Sequence, residues 1–238
     1  MTEFARDVAP HVDRVTLSVF PLIRPRLAEV VAGAGITGNT RVLVLSAGPL
    51  LAGPVAAGDL HPILRYMPWP DFVAALDEHV AQGLFERVED GRYGLTEAGR
   101  RFAAEVQTAQ GEAANGQWAS VADVVDRLLP LAERLTAAAW ETAGPAYAAV
   151  ANGRDPAQAS PAHQLWSRVT ALRFHRADAH AAAWAAAGLS AEQIVALTEG
   201  PEREKIEADT NQRAGAPYGA LTAAERTAWL EGLAALPT

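Results

Sequence analysis

The chain of 238 residues has no cysteine. That absence excludes a disulfide framework, a cysteine-ligated zinc or iron–sulfur site, and a thiol nucleophile. Lysine is almost absent too: the 20 basic residues are 19 arginines and Lys205. With 28 acidic residues the formal net charge is −8, so the chain as a whole repels nucleic acid, and any such contact has to come from a local patch. No apolar run approaches the ~18 residues of a membrane-spanning helix. The start, Met1 to Asp7, carries acids at Glu3 and Asp7 and lacks the apolar stretch of a signal peptide. A cytoplasmic protein that does not enter membranes is therefore expected. Gly-x-Ser-x-Gly, P-loop and His-Glu-x-x-His patterns are all missing. Gly33 to Gly38 satisfies Gly-x-Gly-x-x-Gly, but helix precedes it and no βα repeat follows, so it reads as a turn between helices. No cofactor and no metal are expected.

What is present favours helix. Half the residues are apolar and about a fifth are alanine, the best helix former. Residues 4–34 have helical periodicity, with Pro21 and Pro25 predicting a kink or two shorter helices. Asn39 or Thr40 caps a short apolar run, 41–46, which reads as a buried helix or a strand. Residues 47–58 read as loop and 60–66 as a short helix. Residues 71–80 form an amphipathic helix with Phe72, Val73, Leu76 and Val80 on one face. Two short strands, 84–88 and 92–95, flank the hairpin signal Asp90-Gly91. Thr96 caps a helix to about residue 110. Beyond it the pattern predicts a helix over 117–141 bent at Pro130, a loop over 152–161, a helix over 162–187, and a charged helix over 202–213 starting at Pro201. Ser190/Gln193 and Thr222/Glu225 read as capping boxes. The expected fold is all-α, mainly helical with a small β-hairpin wing, in two lobes: 1–113 and 114–238.

A short helix, an amphipathic helix and a hairpin in that order describe a winged helix-turn-helix. Gly83-Leu84, Arg87, Asp90, Arg92, Leu95-Thr96 and Gly99 resemble the wing of MarR-type regulators. The resemblance spans roughly residues 10–112. It implies a homodimer, a helix for the major groove of double-stranded DNA, and a wing on the backbone or minor groove. The residues that would face DNA are Arg41, Arg65, Arg87 and Arg92, with Arg100 and Arg101 adding local charge. The helix in the recognition position carries Asp71, Asp77 and Glu78 and no basic residue. Residues 36–102 hold six arginines against eight acids, a poor balance for phosphate contact. The dimerisation domains of many O-methyltransferases carry a similar Asp-Gly-Arg-Tyr-x-Leu-Thr after a winged helix and do not touch DNA.

The helix over 162–187 concentrates titratable groups. Arg173, His175, Arg176, Asp178 and His180 resemble a helix of an uncharacterised, largely actinobacterial helical family. At 100° per residue, Leu165, Val169, Leu172, Ala179, Ala183 and Ala187 form the apolar face. Arg176 and His180 fall within that face, Arg173 and His175 at its edges, and Asp178 away from it. One reading is a pocket for a small anionic or aromatic ligand, with Arg173, Arg176 and His180 as polar contacts and Trp166 and Trp184 as an aromatic wall. If the protein is an enzyme, His180, Arg176, His175 and Asp178 are the catalytic candidates. The competing reading is a set of inter-helix ion pairs to Glu133, Glu141, Glu207 or Asp209, with Asn211 also within reach. His175 and His180 lie well over 100° apart on the helix and do not share a metal ion. The composite expectation is a ligand-responsive transcriptional regulator. The alternative is a winged-helix scaffold that does not bind DNA and works as a small-molecule-binding protein or enzyme.

Overall fold

The computed structural model describes residues 1–153 and 158–238; residues 154–157 of the predicted 152–161 loop lie outside the described residues. The elements are α1 (Thr2–Gly33), α2 (Thr40–Leu51), α3 (Ala57–Leu60), α4 (Trp69–Ala81), β1 (Phe85–Arg87), β2 (Tyr93–Leu95), α5 (Glu97–Trp118), α6 (Ala122–Ala139), α7 (Pro145–Ala151), α8 (Pro161–Ala186), α9 (Ala191–Ala196), α10 (Pro201–Ala214) and α11 (Ala223–Ala235). The fold is all-α with a β-hairpin wing, as the periodicities predict.

Three elements differ from their sequence patterns. α1 runs through Pro10, Pro21 and Pro25 without a break. All three prolines sit on its exposed side, where water can satisfy the carbonyls that lose an N–H partner. The segment 41–46 is helix, with the Asn39 side chain accepting from Val42 N, and it continues past Pro49 to Leu51 where loop was expected. α5 extends to Trp118, past Gly111 and Gly116. A Cβ at Gly111 would come within 3.0 Å of His163 Nδ1, so close packing against α8 outweighs the intrinsic penalty of glycine in a helix. A 3-10 turn at Ala119–Val121 then separates α5 from α6.

Two apolar clusters organise these elements. One gathers Phe72 and Leu76 of α4, Val42, Leu43 and Leu50 of α2, the hairpin, and Phe102 and Val106 of α5. The other gathers the buried stripe of α1 from Ala5 to Ile23, Trp118, and the buried faces of α6, α8 and α11 around Trp229. Leu27 packs against both. α1 and α5 are thus shared between the clusters, and α7 packs on α2, α3 and the turn at His61–Leu64.

In the wing, β1 pairs antiparallel with β2, with Phe85 opposite Leu95. Asp90 and Gly91 both take positive φ, 73° and 71°, the conformation that an Asp-Gly turn predicts. Val55 adds a bridge on the outer side of β2 through reciprocal 2.9 Å bonds with Tyr93. Gly99 has a packing reason. A Cβ there would lie 2.0 Å from the Leu84 carbonyl oxygen, where Thr96 N also bonds at 3.1 Å. Gly99→Ala is therefore expected to push α5 off the hairpin and destabilise the protein by about 1–3 kcal/mol. Urea unfolding checks this, and an unchanged midpoint would show that the first turn of α5 has slack.

Candidate functional site

α8 starts at Ser160, whose hydroxyl accepts from His163 N, with Pro161 in the first turn. It is the central helix, packed by α1, α5, α6, α7 and α10. Surrounded in this way, it buries polar groups beyond the single apolar face expected from its periodicity: His163, Thr170, His175 and Asp178 are all buried. Ala187 is exposed instead.

Arg173, Arg176 and His180 of α8 are each engaged by a neighbouring helix. Arg173 Nε lies 2.6 Å from Asp13 on α1. Arg176 donates to Asn211 Oδ1 at 2.8 Å and to Glu207 at 3.4 Å, both on α10. His180 Nδ1 is 3.1 Å from the Thr210 hydroxyl and 3.9 Å from Glu207. Glu207 is also held by Arg203 at 2.8 Å. His175 Nε2 is 2.9 Å from the Thr142 hydroxyl, with its ring edge-on to Tyr147. Glu207 and Asn211 were among the expected partners, whereas Asp209 pairs with Arg213 within α10. Asp13 was missed because nothing in the sequence places α1 beside α8.

Asp178 corrects the sequence reading. It does not point away from the core. It accepts from Ala146 N at 3.3 Å and Tyr147 N at 2.8 Å at the start of α7, and it pairs with Arg65 Nη2 at 2.5 Å. Arg65 Nη1 also donates to the Ala177 carbonyl. Arg65, expected to face DNA, is thereby turned inward between α4 and α8. The reason is that α7 and α8 cover the turn before α4, and an arginine there is stable only with a carboxylate partner.

The two tryptophans do not form one wall. Trp166 donates to the Thr16 carbonyl at 3.1 Å and stands edge-on to Phe20. Trp184 packs on the small cluster of Ala183, Ile194 and Ile206. They are separated by about 27 Å along the helix at 1.5 Å per residue. The side of α8 toward α1 borders a small, partly enclosed cleft, with His175, Arg176, Pro217 and Tyr218 among its walls. Its interior is about 10 Å³, the room of one water. The position of Pro217 and Tyr218 just after the charged helix points to the same side of α8, and both stand in this cleft's wall.

Burial pulls both His175 and His180 below the ordinary histidine pKa, against the opposing influence of Asp178 and Glu207 respectively. Burial likewise lowers the Arg176 pKa against Glu207. The folded protein therefore favours neutral histidines. Below the unfolded value near 6.5, the unfolded chain takes up protons that the folded chain resists, so stability falls as the pH drops. The melting temperature is expected to be flat above pH 7 and to decline from about pH 6.5 downward. His175→Gln should remove part of that decline; an identical profile in the variant would show that His175 does not contribute.

The winged-helix face is poor in donors. α4 exposes Trp69, Pro70, Asp71, Ala74, Glu78 and Ala81, and none offers a cation. Arg87 bonds Asp77 at 2.6 Å and lies 4.7 Å over the Tyr93 ring. Arg92 donates to the Pro54 carbonyl at 3.5 Å and is 3.9 Å from Asp90. Arg41 and Arg100 are exposed, with no ion pair among the described residues. Gly33–Gly38 is a turn between α1 and α2, closed by the Gln82 side chain on Thr37. Among the described residues no group of three or more metal-ligating side chains is assembled, and no helix is long and apolar enough to cross a membrane.

Residues 120–204 match a helix-turn-helix family. The match runs from the turn before α6, through α8 and α9, into the first turn of α10. It therefore covers the central Arg/His helix and leaves the winged helix of α2 to β2 outside. No curated protein and no solved structure matches the chain. The class that the fold defines is a mainly helical protein with a hairpin wing, and its residues 120–204 are similar to a helix-turn-helix family.

Proposed function

We propose that the chain is a MarR-like transcriptional regulator that acts in the cytoplasm as a homodimer. Residues 1–113 hold double-stranded DNA, and residues 114–238 hold a small anionic or aromatic ligand. The observation that carries this reading is the winged-helix order of α2 to β2; the helix-turn-helix match at 120–204 lies in the other half of the chain and supports a regulatory role in general. Arg41, Arg92 and Arg100 supply exposed cations for phosphates, with Arg87 beside them on the wing. The face of α4 exposes no Arg, Lys, Asn or Gln, which leaves base readout without its usual groups, so phosphate contacts dominate. A groove of about 510 Å³ between α1 and α5, floored by Val30, Leu84, Ala98 and Phe102, supports a dimer face on these helices. Exposed Leu22 lies one turn along α1 from it.

Binding of random-sequence duplex and of the protein's own upstream DNA at low salt tests the reading. Salt-sensitive binding weakened by Arg92→Ala supports it, and no binding at low ionic strength refutes it.

The same α4 surface favours a second reading, a winged-helix scaffold that does not bind DNA. In that case the protein binds or transforms a small molecule through Arg176 and His180, with His175 and Asp178 adjacent.

A further inference from the structure

We infer that the cleft bounded by α1, α8, α10 and the turn at Ala216–Ala220 binds the carboxylate of a small organic acid through Arg176 and Tyr218. This rests on the ligand-binding reading of residues 114–238, and it moves the site from the Trp184 end of α8 to the side that faces α1.

The donors there outnumber the acceptors. Tyr218 is 7% exposed and stands in the cleft wall; no hydrogen bond from its hydroxyl to a described residue is formed, and the hydroxyl is not sealed in the interior, so it is free to donate to a ligand in the cleft. Arg176, beside it in the cleft wall, spends two guanidinium N–H groups on Asn211 and Glu207 of the five it carries. α1 contributes Ala5, Ala9 and Val12, small or apolar side chains that bring no competing charge and leave the cleft open along the helix.

The charge balance points the same way. Around the cleft Arg65 is matched by Asp178, Arg173 by Asp13 and Arg213 by Asp209. Arg176 and Arg203 share the single carboxylate of Glu207, and His175 is buried and neutral. One positive charge is left over on this half-buried trio, whose side chains are 27% (Arg176), 31% (Arg203) and 36% (Glu207) exposed, and a monoanion would neutralise it. The interior of about 10 Å³ admits one oxygen atom. That suits one carboxylate oxygen accepting from Arg176 and Tyr218, with the rest of the acid at the open side of the cleft; a phosphate dianion is disfavoured because its second charge exceeds the excess.

Calorimetric titration with sodium formate tests the site, at an ionic strength held constant with sodium sulfate. Saturable binding at one formate per chain is expected. Tyr218→Phe removes only the hydroxyl and should weaken binding about tenfold or more, the loss of one donor to a charged acceptor. Circular dichroism and melting establish that this variant folds. Trp184→Phe should bind formate as the wild type does. The proposal is overturned by the absence of saturable binding, by an unchanged affinity in Tyr218→Phe, or by chloride binding as tightly as formate. DNA binding measured on the same samples separates the two readings. Formate binding without DNA binding refutes the regulator and leaves this site standing; DNA binding without formate binding refutes this site alone.

Discussion

Asp178→Ala is expected to lower stability by about 3–5 kcal/mol, the range for removing one partner of a buried ion pair. The side chains of Arg65 and Asp178 are 13% and 7% exposed, so the stranded guanidinium would gain little from water. The substitution also leaves Ala146 N and Tyr147 N without their acceptor. Against a typical total of about 5–15 kcal/mol, this is a large share. Arg65→Met should lose less, because Asp178 keeps both backbone donors. The pair ties the turn before α4 to α8, so hydrogen exchange should show α4 loosening more than α11 in either variant. Urea unfolding measures the stability, and a loss under about 1 kcal/mol for Asp178→Ala would mean that the pair is solvated and contributes as a surface pair does.

DNA affinity, on the regulator reading, is expected to fall about 10³-fold between 50 and 200 mM salt. Arg41, Arg92 and Arg100 on phosphates in each half of a dimer neutralise about six charges, and the logarithmic salt slope is about −0.9 per phosphate contacted. Replacing all three with alanine should flatten that slope toward zero while leaving the fold intact, since the three are exposed or half-exposed. Little preference among sequences is expected, because α4 presents Asp71, Ala74 and Glu78 where base-reading donors would stand. Fluorescence anisotropy over a salt series measures both quantities. A flat series in the wild type would remove DNA from the function and leave the small-molecule reading.

Local chemistry was legible in the sequence wherever a residue acts on its own neighbours. Asn39, Thr96, Ser190 and Thr222 each cap the helix that follows, and both capping boxes form. Asp90-Gly91 makes its turn because the required positive φ is a property of those two residues. The match of Leu95-Thr96 and Gly99 to a wing has a short-range cause in the contact between Gly99 and the Leu84 carbonyl. These settled the element types and the mainly helical fold with its wing.

The partners of the charged residues were decided by tertiary structure. Helical periodicity assigns a face to each side chain but not the element that will cover it, and α8 is covered from five directions. Arg173 meets Asp13 across 160 residues of sequence, and Arg65 meets Asp178 across 113. Proline in α1 and α2 was read as a breaker, yet both helices continue, because packing of their buried faces outweighs single lost hydrogen bonds, on the exposed side in α1 and at the buried Pro49 near the end of α2. The composition and the caps determined that this chain is a helical protein with a wing. The folding of α1, α7 and α10 around α8 decided which charges are spent internally and which remain for a ligand, because electrostatic partners are set by distance in space and not along the chain.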